Sequence, residues 1–209
     1  MRELADGVRV LEPQDYRRMR WKNGQGWTTE IAVSPPDAGL NGKPFDWRIS
    51  MAEIEQDGDF SAFTGYDRTI LVAHGAGLEL TFDAAPPARL AERYRPVGFK
   101  GEWRTRCHLL DGPVRDFNVM TMRSRWQHQC HVVQGTGVKL RDEPTAAALV
   151  VHALRGAAEI RNGVALQFRL QSQETFACSS ADVTHHLDLS SVSTDTVLAI
   201  ISLKRAAPV

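Results

Sequence analysis

The chain lacks an excess of charge of either sign: 25 Lys plus Arg are matched by 25 Asp plus Glu, for a formal net charge of zero over 209 residues. Nucleic-acid binding rests on neutralising phosphates, so a chain with no basic surplus is a poor candidate for it. Cysteine is sparse too. Cys107, Cys130 and Cys178 are far apart, odd in number and without CxxC spacing, which fits reduced, buried thiols rather than a disulfide framework or a zinc knot. No apolar run approaches the roughly 20 residues that cross a bilayer, and the opening MRELADGVRVLEPQDYRRMR has no signal-peptide core. A cytoplasmic protein with no membrane partner is the expectation. Helical periodicity is also scarce, with EPQDYRRM and APPARLAERY the best short helix candidates.

What is present is β structure. With 43% apolar and 24% charged residues the chain is long enough to bury one large core or two small ones. Thirteen short stretches, among them GWTTEIAVS, DWRISMAEI, RDFNVMTM, ALVVHALRG and TVLAIISL, alternate with period two or are β-branched, and Gly, Pro, Asp and Asn bound them. This predicts an all-β sandwich or barrel. LVAHGAGLEL at 71–80 and VHALRGAAEI at 151–160 can be laid over one another, each a strand, a small-residue turn and a second strand. Two small β-barrels side by side explain that echo, with the Gly-rich and polar VQGTGVKLRDEPTAAA between them.

The densest chemistry lies in four segments. In WKNGQGWTTEI, Asn23-Gly24 is a turn dipeptide suited to positive φ, and Gly26 allows close backbone approach. The turn holds Lys22 and Asn23 rigidly, and Thr28 and Glu30 then share one face of the following strand. In FDWRISMAEI, Phe45, Trp47, Ile49 and Met51 share a face, and Asp46, Arg48 and Ser50 the other. DGDFSAFTGYDRTI brings Asp67-Arg68 to a strand entrance, and GPVRDFNVM does the same for Arg115-Asp116. Neighbours on a strand diverge, so only one of each pair faces a given ligand; Asp116 and Asn118 share a face.

If Lys22, Arg48, Arg68 and Arg115 converge, they favour a small carboxylate or phosphate, because guanidinium groups grip such anions with paired hydrogen bonds. The histidines make a poor metal set. His128 and His131 are three apart on a strand and point to opposite faces, His185 and His186 diverge, and His74, His108 and His152 stand alone. No metal site and no cofactor are expected. No GxSxG elbow, phosphate loop or activated cysteine turn is present, which leaves Glu30 and Asp116 as acid/base carboxylates or as counter-ions to the arginines.

Together these four segments resemble the HutD/Ves family of small bacterial proteins, in the right order and with the right kind of spacing, over about residues 17 to 123. The matching positions are Trp21, Lys22, Asn23, Gly24, Gly26, Thr28 and Glu30, then Asp46, Trp47, Arg48 and Ser50, then Asp67 and Arg68, and finally Arg115, Asp116 and Asn118. Gln25 stands where many relatives carry glycine. The resemblance implies a bicupin: two cupin barrels in one unit, placed here at 17–134, with the ligand pocket, and 145–205. It also implies a link to histidine utilisation, whose intermediates urocanate and N-formylglutamate are small carboxylates.

The resulting expectation is a non-catalytic ligand-binding or regulatory protein with a metal-free pocket for a small anionic metabolite. Lys22, Arg48 and Arg68, with Arg115, hold the carboxylate. Asn23, Thr28, Ser50 and Asn118 add directional hydrogen bonds, and Glu30 and Asp116 hold the cations in position. A homodimer is allowed. The alternative is a cupin enzyme, either an isomerase or hydrolase with Glu30 or Asp116 as base, or a metal-dependent oxygenase.

Overall fold

The computed structural model describes residues 1–209 except 6, 22–25, 39–42, 137–145, 163–165, 180–186 and 208–209. Among the described residues it has nineteen strands and one short 3-10 turn at Pro13–Asp15. The fold is all-β, as the period-two patterning predicts. By proximity the chain divides into two compact units. One is Tyr16–Gln127 with Ala206–Val209, and the other is Met1–Asp15 with His128–Arg205.

In the first unit a six-stranded antiparallel sheet runs in the order β10 (Val97–Lys100), β7 (Tyr66–His74), β12 (Val114–Met122), β5 (Trp47–Ile54), β4 (Gly26–Ser34) and β3 (Arg17–Arg20). A four-stranded sheet joins β6 (Gly58–Asp59), β11 (Thr105–Leu109), β8 (Leu78–Phe82) and β9 (Ala88–Leu90). Ile54, Ile70, Val72 and Val114 of the larger sheet and Leu78, Leu80, Leu90 and Cys107 of the smaller form one buried cluster. Apolar burial of this kind contributes about 1.5–3 kcal/mol per large side chain.

The second unit repeats the plan. Its six-stranded sheet runs β1 (Arg2–Ala5), β2 (Val8–Leu11), β17 (Thr175–Cys178), β14 (Ala148–Arg155), β19 (Val197–Arg205) and β13 (Trp126–Gln134). Its smaller sheet is β16 (Leu166–Leu170), β15 (Ala158–Asn162) and β18 (Leu187–Ser191). The two echoed segments occupy the same place in this plan. Each leaves a six-stranded sheet and enters a smaller one, from β7 to β8 and from β14 to β15. A left-handed glycine sits at each crossing, and neither tolerates a side chain. A Cβ on Gly75 (φ 103°) would lie 2.6 Å from the Pro113 carbonyl, and one on Gly156 (φ 72°) 2.7 Å from Thr196 Oγ1.

The observed division differs from the expected ranges 17–134 and 145–205. β1 and β2, at the start of the chain, pair into the later sheet, and most of β13 belongs with it. All thirteen expected strand stretches contain strands, and six further strands are short pieces: β1, β2, β3, β6, β9 and β10. Neither expected helix forms. EPQDYRRM becomes the 3-10 turn followed by β3, because Arg17–Arg20 pairs along β4. In APPARLAERY, Ala88–Leu90 extends as β9 to pair with β8. Tertiary pairing overrides weak local preference in both places. The three cysteines are free thiols, and burial pushes those of Cys107 and Cys130 up to about 12.

Candidate functional site

Register assembles the site. Across the centre of the first unit's large sheet, Arg48 of β5 pairs with Met120 of β12, which pairs with Arg68 of β7. One step of the pleat further on, Ser50 faces Asn118, and the next step places Ala52 opposite Asp116. Because side chains alternate, all of these project to one face of the sheet. That face is apolar where it enters the core at Ile54, Val72 and Val114 and polar at its other end, where a cavity of about 510 Å³ opens.

Thr28, Arg48, Ser50, Arg68, Asp116 and Asn118 line this cavity from the sheet. Met19, Arg20 and Trp21 close one side, at and just beyond the end of β3, and Phe60, Ser61 and Phe63 close another, from the loop after β6. The hairpin of β3 and β4 is tied by Trp21 N–H donating to the Gly26 carbonyl at 3.0 Å and by Trp21 Nε1–H donating to Thr28 Oγ1 at 2.8 Å. A Cβ on Gly26 would run into the Glu53 carbonyl and stand 3.2 Å from the Trp21 ring. Glycine is what allows the indole to pack this close to the hairpin.

Glu30 sits behind the cavity wall and is only 6% exposed. Its Oε1 accepts from Arg17 Nη2 at 2.5 Å, and its Oε2 lies 2.9 Å from Arg48 Nε, an ionic contact rather than an aligned hydrogen bond. One carboxylate therefore serves two guanidinium groups and leaves a net positive charge. Burial depresses the Arg48 pKa and Glu30 opposes the shift, while Arg17 adds to the depression.

Arg68 is held differently. It is 6% exposed, and among the described residues no carboxylate lies within ion-pair distance of it. Its guanidinium packs among three rings, 4.9 Å from the centroid of Phe99, 5.3 Å from Phe60 and 5.6 Å from Phe63. Nη1 donates to the Ser61 carbonyl at 3.3 Å, and Nε has no hydrogen-bond partner among the described residues. Burial lowers its pKa to about 10, still charged at neutral pH, with Asp116 opposing the shift and Arg48 adding to it. A buried cation in this state retains unspent capacity for an anion.

Asp116 and Asn118 complete the polar wall. Asp116 is 1% exposed, and its Oδ1 accepts the Ala52 N–H at 3.0 Å. Burial pushes its carboxyl up to about 7, against the pull of Arg68 and of that backbone donor. Asn118 Oδ1 is buried without a hydrogen-bond partner among the described residues. Such an atom costs about 1–3 kcal/mol unless something binds to it.

The structure thus brings together six of the ten residues expected at the site and places Glu30 directly behind one of them. Arg115 points to the other face, 47% exposed, and its Nη2 donates to Glu53 at 3.2 Å. Strand alternation puts Arg115 outside whenever Asp116 is inside. Lys22 and Asn23 lie outside the described residues, as do His185 and His186. Asp67, beside Arg68, turns away to bind Lys100 at 2.8 Å and Arg123 at 2.9 Å. Sequence reasoning passed over Phe60, Ser61, Phe63, Met19 and Arg20 as cavity residues. The only local signal for Phe60 and Phe63 is a pair of aromatics in a Gly/Asp-rich loop, where exposure would otherwise be costly.

A HutD family profile matches residues 13–199. The chain belongs to the HutD family. This HutD chain is 41% identical over 129 residues to an uncharacterized 21.2 kDa protein in the hutC 3' region of Pseudomonas putida, covering 62% of this chain and 66% of that one. It is 33% identical over 143 residues to Protein Ves of Cronobacter sakazakii, covering 68% and 74%. The solved structure of HutD from Pseudomonas fluorescens SBW25, in a formate condition, superposes with a TM-score of 0.74 at 31% identity and covers 96% of this chain and all of that one. These names link the HutD family to the histidine-utilisation genes. At 9% identity, a bacterial pirin from Escherichia coli in complex with nickel(II) still superposes with a TM-score of 0.61, a likeness of fold alone. The fold is that of the cupins.

Many cupins hold a metal ion, and the residues of this cavity do not fit one. Arg48 and Arg68 face it as cations, and among the described residues Asp116 and Asp59 are the carboxyls in its lining and no three of His, Cys, Asp and Glu come together in a way that could hold a metal ion. No helix among them is long and apolar enough to cross a membrane.

Proposed function

We propose that this HutD chain is a ligand-binding or regulatory protein of histidine utilisation that takes a small carboxylate, such as N-formylglutamate or urocanate, into the cavity of its first unit. The observation that carries this reading is Arg68: a buried guanidinium that opens on the cavity beside Arg48 and, among the described residues, has no carboxylate within ion-pair distance. A carboxylate supplies the missing acceptor to Arg68 and Arg48. Ser50 and Thr28 add short polar contacts, and the rings of Phe60 and Phe63 exclude water and strengthen the charge pairing.

Thermal unfolding against N-formylglutamate, urocanate, formate, histidine and glutamate tests it. A ligand at 100 times its Kd adds about 2.7 kcal/mol, and each kcal/mol moves the midpoint of a chain this size by roughly 2–4 °C. A rise with one of the acids that EDTA does not alter and Arg48→Ala abolishes is the expected outcome. No shift with any of them refutes the reading.

One observation favours a second reading. A cavity carboxyl held near pH 7, as Asp116 is, suits a general acid or base. Glu30 does not, because two arginines occupy it. In this reading the same acids are chemically changed on incubation with the protein, as followed by proton NMR, and Asp116→Asn stops the change.

A further inference from the structure

Asp116 has a role that anion binding by the arginines leaves open. It lines the same cavity as Arg68 and Arg48, yet among the described residues no ion pair within 4.0 Å joins it to either. Its one hydrogen bond there is the Ala52 N–H on Oδ1. Among the described residues, the other charged or titratable groups around the cavity are Arg68 on β7, Arg48 on β5, Arg20 on β3 and Asp59 on β6, with Glu30 behind Arg48 and the Cys107 thiol of β11 feeling Asp116 through space. Any anion drawn to Arg68 enters beside an existing carboxyl in a poorly hydrated space. Two negative charges in one such site repel, and the cheapest relief is for one carboxyl to be protonated.

We propose that Asp116 binds a proton together with the ligand and donates it as a hydrogen bond to the bound carboxylate, so that the cavity takes up an anion and a proton as a pair. This rests on the carboxylate reading above. A protonated carboxyl is a donor, which turns the least favourable group in the wall into a further contact beside Arg48, Arg68 and the hydroxyls of Ser50 and Thr28. Burial already holds the free carboxyl at about 7, so proton uptake at the cytoplasmic pH range costs little. The pairing also sets specificity: it favours groups that share a proton with a carboxyl, and it penalises a permanently charged anion that cannot accept one.

Isothermal titration with N-formylglutamate and with formate, from pH 5.5 to 8.5 in two non-phosphate buffers of different ionisation enthalpy, decides it. The expected result is a Kd that is flat below about pH 6 and weakens by up to about tenfold per pH unit above 7. Heats that differ between the buffers should then report close to one proton taken up per anion at pH 8, and Asp116→Asn should remove the pH dependence. Should that variant fail to fold, proton uptake by the wild-type chain still decides. Binding with a flat pH profile and no proton uptake overturns this role for Asp116 and leaves the carboxylate reading standing. No binding of either acid at any pH overturns both.

Discussion

Arg68 keeps its charge among three aromatic rings and against one carbonyl, an arrangement that is costly for folding and that a bound anion would relieve. Replacing a buried, poorly paired ion by an apolar side chain of similar length is often neutral or stabilising. Arg68→Met places methylenes and a sulfur against the same rings. The expected outcome in calorimetry is a thermal midpoint equal to or above that of the wild type, with the carboxylate-induced rise lost. A midpoint lower by several degrees would show instead that the guanidinium serves the fold. At this scale the sequence was informative where a polar residue recurs with period two. Arg48 and Ser50, and Asp116 and Asn118, were legible as cofacial pairs because strand geometry leaves no other choice. The same rule should have set Arg115 aside. Its exposed pairing with Glu53 predicts that Arg115→Ala changes stability by no more than about 0.5 kcal/mol and leaves ligand-induced shifts intact.

At the level of elements, the site depends on β3 and β4 meeting in register. Arg17 of β3 lies opposite Glu30 of β4, and Glu30 reaches Arg48 of β5, so one buried carboxylate ties an edge strand to the cavity wall. Removing it leaves two cations facing each other. Glu30→Ala should therefore destabilise the protein by about 3 kcal/mol or more in urea unfolding and weaken carboxylate binding through a displaced Arg48. An unchanged midpoint would mean that the edge strand contributes nothing to the site. β3 itself was illegible in the sequence. Its four residues, RRMR, carry no alternation of apolar and polar side chains, and they extend only because β4 offers an open edge. The loop with Phe60 and Phe63 was missed for a related reason: its place over the cavity comes from β6 pairing with β11, nearly fifty positions later in the chain.

For the molecule as a whole, two buried groups push stability in opposite directions with pH. Asp116 is raised by burial to about 7, so the folded state holds its proton more tightly than the unfolded chain, and stability is lost as pH rises from about 4 to about 7. His152 of β14 is fully buried, its Nδ1 2.8 Å from Thr175 Oγ1, and burial lowers it to about 3. Its contribution is complete above about 6.5 and is lost as pH falls from there toward 3. Between pH 4 and 6.5 the two slopes largely cancel. Asp116→Asn removes one of them, so its stability relative to the wild type should climb by up to about 1.4 kcal/mol per pH unit between pH 4 and 7, as read from denaturant midpoints. A constant difference across that range would mean that the buried carboxyl titrates normally. The two-unit plan was visible in the echo of LVAHGAGLEL and VHALRGAAEI. The entry of the first fifteen residues into the later unit was not, since nothing local in β1 or β2 says which distant edge will accept them.

Trp21 gives the cavity an optical property as well as a wall. Its indole N–H is committed to Thr28, and its ring lies between the hairpin glycine and the open space beside Arg20 and Met19. Indole emission responds to the water and charge around the ring, so the arrival of an anion or the exclusion of solvent there changes light the protein emits unaided. Occupancy can be followed in the unlabelled chain, at concentrations well below those calorimetry needs.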